Sequence, residues 1–319
     1  MMDGSLNVTV IGGGLIGASW AALFLAHGHK VCVHDVAPDV GVRVRKELHR
    51  ILPTMQELGL WLDPESLALT FDANLVSAVR NADVVQECGP ERLGFKQALW
   101  ASIEGSCRAG ALLLSSSSGI TASMQARKMK TPHRMLVGHP FNPPHLIPLV
   151  EVVPGRKTSP ESARRARDFY VALGKRAVVL NKEIPGFVAN RIQAAVIRES
   201  VSLVRQGVVS LEDLDVAVQS SLGLRWATGG PFLSAHLGGG AGGVKGFFKQ
   251  FAGGLQLLWL HMRLRPVLLT SRTQASLIDG VGLAYGGRSI DEWASVRDGQ
   301  QVAILQALAA AEAGEEANG

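Results

Sequence analysis

The chain has only two tyrosines and three cysteines in 319 residues, and Cys32, Cys88 and Cys107 stand far apart with no metal-ligand spacing. A disulfide scaffold and a cysteine-built metal site are both excluded, and no metal is expected. Blocks of Lys or Arg and basic–aromatic alternation are also missing, so a net charge of +5 lends little support to nucleic-acid binding. No apolar run reaches membrane length, because LLWLHMRLRPVLL at 257–269 is broken by Arg263, Arg265 and Pro266. No signal-like segment precedes the first apolar run, and the expectation is a cytoplasmic protein with no membrane partner.

What the sequence does hold is apolar: 47% hydrophobic residues, enough for a substantial core and, at this length, for two domains. The most informative stretch is LNVTVIGGGLIGASWAALFLAHGHKVCVHD at the start. A β-branched run at 6–11 meets Gly12, Gly14 and Gly17, an apolar helix pattern follows, and a second run from Lys30 to His34 ends at Asp35. Gly12 permits a tight turn, Gly14 lets the backbone approach a pyrophosphate, and Gly17 lets the helix pack on the strand. Leu15 and Ile16 fall at the helix start, whose partial positive charge suits phosphate. Asp35 can accept hydrogen bonds from a ribose and would repel a 2′-phosphate, so NAD is expected over NADP.

Further apolar runs near 68–71, 84–87, 111–114, 135–138 and 149–153 alternate with helical or loop stretches such as 42–60 and 92–105. This pattern predicts an α/β fold: a Rossmann-type doubly wound parallel sheet over residues 1–184. From about Pro185 the pattern becomes helical, which predicts a second, all-helical C-terminal domain over 185–319. The glycine-dense residues 236–254 read as a loop leading into a helix.

Ligands of open α/β sheets sit beyond the carboxyl ends of the strands. Three segments follow strands there: PERLGFK, SSSSGI and GHPFNPP. Together with IPGFVANRI at 184–192, they resemble the L-3-hydroxyacyl-CoA dehydrogenase family, and particularly its branch acting on free acids, over nearly the whole chain. The resemblance implies His139 as catalytic base, Glu151 as its partner, and Ser117 and Asn190 completing the site. Glu91, Lys96 and Asn142 would contact the nicotinamide side of NAD. Counting forward from the strand selects Ser117, whereas counting back from the histidine selects Ser118.

Such residue types suit alcohol oxidation, in which a base near neutral pKa must take the hydroxyl proton as hydride leaves. A carboxylate on the other imidazole nitrogen fixes the tautomer. The expected substrate is a small L-3-hydroxy acid, resembling carnitine or L-gulonate, with a short-chain 3-hydroxyacyl-CoA as the alternative. An idle, crystallin-like or NAD-binding role is the reading of another class. The resemblance further implies a homodimer through the helical domain. Trp226, Phe232 and Phe247 read as core more readily than as an aromatic pocket for a quaternary ammonium, and His236 and His261 as structural.

Overall fold

The computed structural model describes residues 4–318, with the side chains of 315–318 excepted. They group into two compact units. One runs to Arg191 and takes in Asp298–Gln306; the other covers Ile192–Arg297 and the chain from Ala307.

The first unit is built on one eight-stranded sheet. Its strands are β1 (Asn7–Ile11), β2 (Lys30–His34), β3 (Leu69–Phe71), β4 (Val84–Glu87), β5 (Leu112–Ser115), β6 (Met135–Pro140), β7 (Leu149–Pro154) and β8 (Arg176–Val179), in spatial order β3-β2-β1-β4-β5-β6-β7-β8. The order reverses between β1 and β4, which opens the crevice expected of a doubly wound sheet. Helices α1 (Leu15–Ala26), α2 (Val40–Glu57), α3 (Leu75–Arg80), α4 (Leu93–Ile103), α5 (Ala122–Gln125) and α6 (Pro160–Ala172) connect the strands. Their two buried apolar clusters include Trp20, Phe24, Val33, Leu48 and Tyr170 in one, and Val85, Trp100, Leu113, Val137 and Phe187 in the other.

Two features depart from the sequence reading. The sheet is mostly rather than wholly parallel: β7 runs antiparallel to β6. Residues 141–148 between them are too few for the crossover helix that parallel neighbours require, so the chain must double back. The eighth strand, β8, was absent from the reading. RAVV is four residues at a sheet edge, with Val178 and Val179 exposed, and carries no alternating or fully apolar signature.

The second unit is helical. It contains most of α7 (Ala189–Arg205), then α8 (Leu211–Ala217), α9 (Leu224–Thr228), α10 (Pro231–Gly238), α11 (Gly243–Arg263), α12 (Ser271–Tyr285) and much of α13 (Ile290–Asn318). Ser210 and Thr270 cap α8 and α12 by accepting the Asp213 and Thr273 N–H groups. The glycine-dense stretch forms the end of α10, a single 3₁₀ turn at Gly240–Gly242 and the start of α11. His236 Nδ1 accepts the Val244 N–H there, a structural role. Phe232 is 80% exposed and Trp226 39% exposed, so neither belongs to a core of the described chain. No described helix is long and apolar enough to cross a membrane.

Candidate active site

The glycine turn has the geometry that a dinucleotide needs. Gly12 has φ +102°, and a Cβ on it would lie 2.8 Å from the Cys88 carbonyl oxygen. A Cβ on Gly17 would overlap the Gly12 carbonyl oxygen, so glycine there allows α1 to pack against the turn. Gly14 faces open space and caps α1 without a side-chain hydrogen bond. The first-turn N–H groups of Leu15, Ile16 and Gly17 have no partner within the helix, an arrangement suited to phosphate oxygens.

Asp35 follows β2 and is fixed by the same turn. Its Oδ2 accepts the Gly13 N–H at 2.8 Å and its Oδ1 accepts the Ala37 N–H at 2.9 Å. Burial opposes its ionisation, but these two N–H groups and the nearby Arg43 and His34 outweigh it and hold the carboxyl below the usual range. An anionic acceptor at the end of β2 suits a ribose diol. These residues therefore fit NAD.

Across the switch point, Glu87 ends β4 and is fully buried. Its carboxylate accepts Lys96 Nζ at 2.8 Å on each oxygen, the Gly89 N–H at 2.7 Å and the Ser115 hydroxyl at 2.6 Å. Lys96 is 1% exposed and also lies 3.4 Å from Glu91 Oε2. Glu91 Oε1 accepts the Ser117 hydroxyl at 2.5 Å and the Gly119 N–H at 3.2 Å. Burial raises the Glu91 pKa, but the Ser117 hydroxyl, the Lys96 charge and the Gly119 N–H together bring it below the ordinary value. The sequence reading singled out Glu91 and Lys96 but missed Glu87. Its signal was a charged residue closing VVQE, a run otherwise fit for burial on both faces.

Ser117 is buried, donates to Glu91 and accepts the Ile120 N–H, whereas Ser118 is exposed. Asn190 Nδ2 donates to the Ser118 carbonyl oxygen at 3.0 Å, so the serine turn and the start of α7 meet. Asn142 is exposed in the turn after β6.

His139 and Glu151 are register partners across β6 and β7. His139 Nδ1 lies 2.9 Å from Glu151 Oε2, and both side chains are buried. Phe141 and Phe187 pack against the imidazole at centroid distances of 4.7 and 5.4 Å. Glu151 Oε1 accepts the Val188 N–H at 2.9 Å and the Ala189 N–H at 3.0 Å. Those groups are presented by a turn in which Gly186 and Phe187 both take positive φ, +75° and +49°. Burial disfavours the Glu151 anion, yet the His139 bond and the two N–H groups prevail and keep its carboxyl below the usual range. An ionised Glu151 accepts a hydrogen bond from Nδ1–H, which leaves Nε2 of a neutral imidazole as the basic atom.

Among the described residues, no group of His, Cys, Asp and Glu could hold a metal ion.

Comparison with known proteins places the chain in a family. Residues 7–184 match the model of the 3-hydroxyacyl-CoA dehydrogenase NAD binding domain, and 186–265 match that of the 3-hydroxyacyl-CoA dehydrogenase C-terminal domain. The chain is 39% identical to an L-carnitine dehydrogenase of Nocardiopsis dassonvillei over 98% of its own length and 94% of the relative's. It is 44% identical to a 3-hydroxyacyl-CoA dehydrogenase of Gibberella moniliformis over 76% of each. The crystal structure of 5-formyl-3-hydroxy-2-methylpyridine 4-carboxylic acid 5-dehydrogenase, an NAD+ dependent dismutase, superposes with a TM-score of 0.83 at 28% identity, covering 96% of this chain and 99% of that one. With both family models matched in tandem and a relative aligned almost end to end, the chain belongs to the 3-hydroxyacyl-CoA dehydrogenase family of oxidoreductases, with NAD as its cofactor.

Proposed function

We propose that the protein oxidises the secondary alcohol of a small L-3-hydroxy acid to the 3-oxo acid, with His139 as general base. The observation that carries this is the buried His139–Glu151 pair, in which the carboxylate is itself anchored by Val188 and Ala189 N–H groups. His139 Nε2 takes the hydroxyl proton, and Glu151 stabilises the imidazolium that results. NAD, when bound, accepts the hydride. Gly12, Gly14, Leu15, Ile16, Gly17 and Asp35 bind its ADP half, and Glu91, Lys96 and Asn142 serve the nicotinamide half.

Asn190 commits one amide hydrogen to Ser118 and has a second for the substrate oxygen. Ser117 has a single hydroxyl hydrogen, directed at Glu91, so it serves the substrate only by exchanging that acceptor. The serine is thus the less prepared of the two donors.

A free acid as substrate is supported by L-carnitine dehydrogenases at 36–39% identity across at least 93% of this chain. The shorter match to a 3-hydroxyacyl-CoA dehydrogenase at higher identity supports a thioester as the second reading. Assays of NAD reduction with L-carnitine, L-gulonate and L-3-hydroxybutyryl-CoA separate them. Turnover of the thioester alone would reverse the ranking, and failure to oxidise any alcohol would favour an idle NAD-binding protein.

We also propose a homodimer formed through the helical unit, where Leu257, Leu258, Trp259 and Leu260 of α11 are exposed. We further propose a functional division at 184/185, where one family match ends and the next begins, a few residues before the compact units part at Arg191, and three free cysteines suit a reducing, cytoplasmic setting. Light scattering checks the dimer.

A further inference from the structure

We infer that Glu87, Lys96 and Glu91 act as one charged unit that biases the cofactor crevice toward the oxidised form of NAD, with Glu87 as the positioning residue that holds Lys96 inside. The inference rests on reading the crevice as the NAD site.

The placement follows from topology. Asp35 follows β2 on one side of β1, and the strand order reverses between β1 and β4. A dinucleotide lying across such a crevice puts its second half over the carboxyl ends of the strands beyond the switch. Glu87 ends β4, and Glu91 and Lys96 follow it directly.

The charge count is simple: two carboxylates and one ammonium sum to minus one. Each member is tied to the next. Lys96 bridges the fully buried Glu87 at 2.8 Å and Glu91 at 3.4 Å, while Gly89 and Ser115 satisfy Glu87 further. A lone buried lysine would be costly, and a lone buried glutamate equally so; together they carry no net charge. The uncompensated charge therefore falls on Glu91, whose side chain is 42% exposed. The nicotinamide ring is cationic when oxidised and neutral when reduced. A fixed net negative charge in a partly desolvated site stabilises the cation and leaves the neutral ring nearly indifferent. Without Glu87, Lys96 would offset Glu91 instead, and the bias would vanish.

The test measures the dissociation constants of NAD+ by calorimetry and of NADH by fluorescence, on the full chain without substrate. Glu87→Gln and Glu91→Gln each bring the trio to zero charge and are expected to raise the ratio Kd(NAD+)/Kd(NADH) by about threefold or more. The double variant Glu87→Gln/Lys96→Met restores minus one with no buried unpaired charge, and its ratio is expected to return to within about twofold of wild type. Structural damage would not be repaired by a second substitution. An unchanged ratio in Glu91→Gln, or a double variant that keeps the shifted ratio of Glu87→Gln, overturns the inference while leaving the NAD site intact. If Glu87→Gln does not fold, Glu91→Gln decides alone, because its side chain is half-exposed. Wild type that binds neither nucleotide would overturn the NAD reading itself, and this inference with it.

Discussion

Glu151 stands directly opposite His139 on the neighbouring antiparallel strand, with Oε2 2.9 Å from Nδ1. The twelve-residue separation between them is thus the length of a hairpin, and the pair is a cross-strand contact whose geometry the sheet itself enforces. Glu151→Gln keeps the shape but supplies no anion, so the imidazole loses both its tautomer control and its counter-charge. The expected loss in kcat is on the order of a thousandfold with a smaller change in KM, measured by NADH appearance under saturating NAD.

The same carboxylate makes an acid-side stability prediction. Its folded pKa lies below the ordinary 4.5, so between those two values the unfolded chain binds more protons than the folded one. Its contribution is complete above 4.5 and fades as pH falls through the folded value. Urea titrations below that pH should show a shallower acid loss in Glu151→Gln than in wild type.

Lys175 predicts a trend on the alkaline side. It is buried, donating to the Pro144 and Ile147 carbonyl oxygens in the link after His139. Burial pushes its ammonium down from 10.5 to about 7. Between those values the unfolded chain binds the extra proton, so stability rises with pH. Wild type should gain about 2 kcal/mol relative to Lys175→Met between about pH 7 and pH 9, read from unfolding free energies in urea.

Gly17→Ala tests the turn. The added methyl would overlap the Gly12 carbonyl oxygen, which must then move together with the first turn of α1. Overpacking of this kind costs about 1–3 kcal/mol, and NAD affinity should fall with it. Thermal melts with and without NAD separate the two effects: the variant should melt lower and gain less from the nucleotide.

Asp35→Asn addresses cofactor choice. The amide can retain one backbone N–H but offers no charge to a ribose or against a phosphate. The KM for NAD should rise by about tenfold, and the preference for NAD over NADP should shrink, as measured by kcat/KM for each.

Much of this is legible in the sequence alone. The Gly12–Gly17 turn and Asp35 signal themselves because backbone approach and ribose contact demand particular residues at fixed spacing. His139 and Glu151 were legible as a pair only through family resemblance, since periodicity alone does not reveal that β7 runs backwards. Ser117 is legible only as part of a serine turn after β5, because its bond to Glu91 depends on tertiary contact across 26 residues. Glu87 escaped notice for the same reason: its partners, Lys96 and Ser115, come from a helix and a neighbouring strand. The edge strand β8 lacked a pattern because only one neighbour constrains it.

The eight residues at 141–148 that fold β7 back on β6 carry one further implication. Adding or removing a single residue within that link would turn every side chain of β7 to the other side of the sheet, swapping the carboxylate for a valine opposite the imidazole. A two-residue change would leave the carboxylate on its proper face but slide it along by one pair. Family members that differ in loop length at this point are therefore expected to do so in even steps, or to compensate with a bulge.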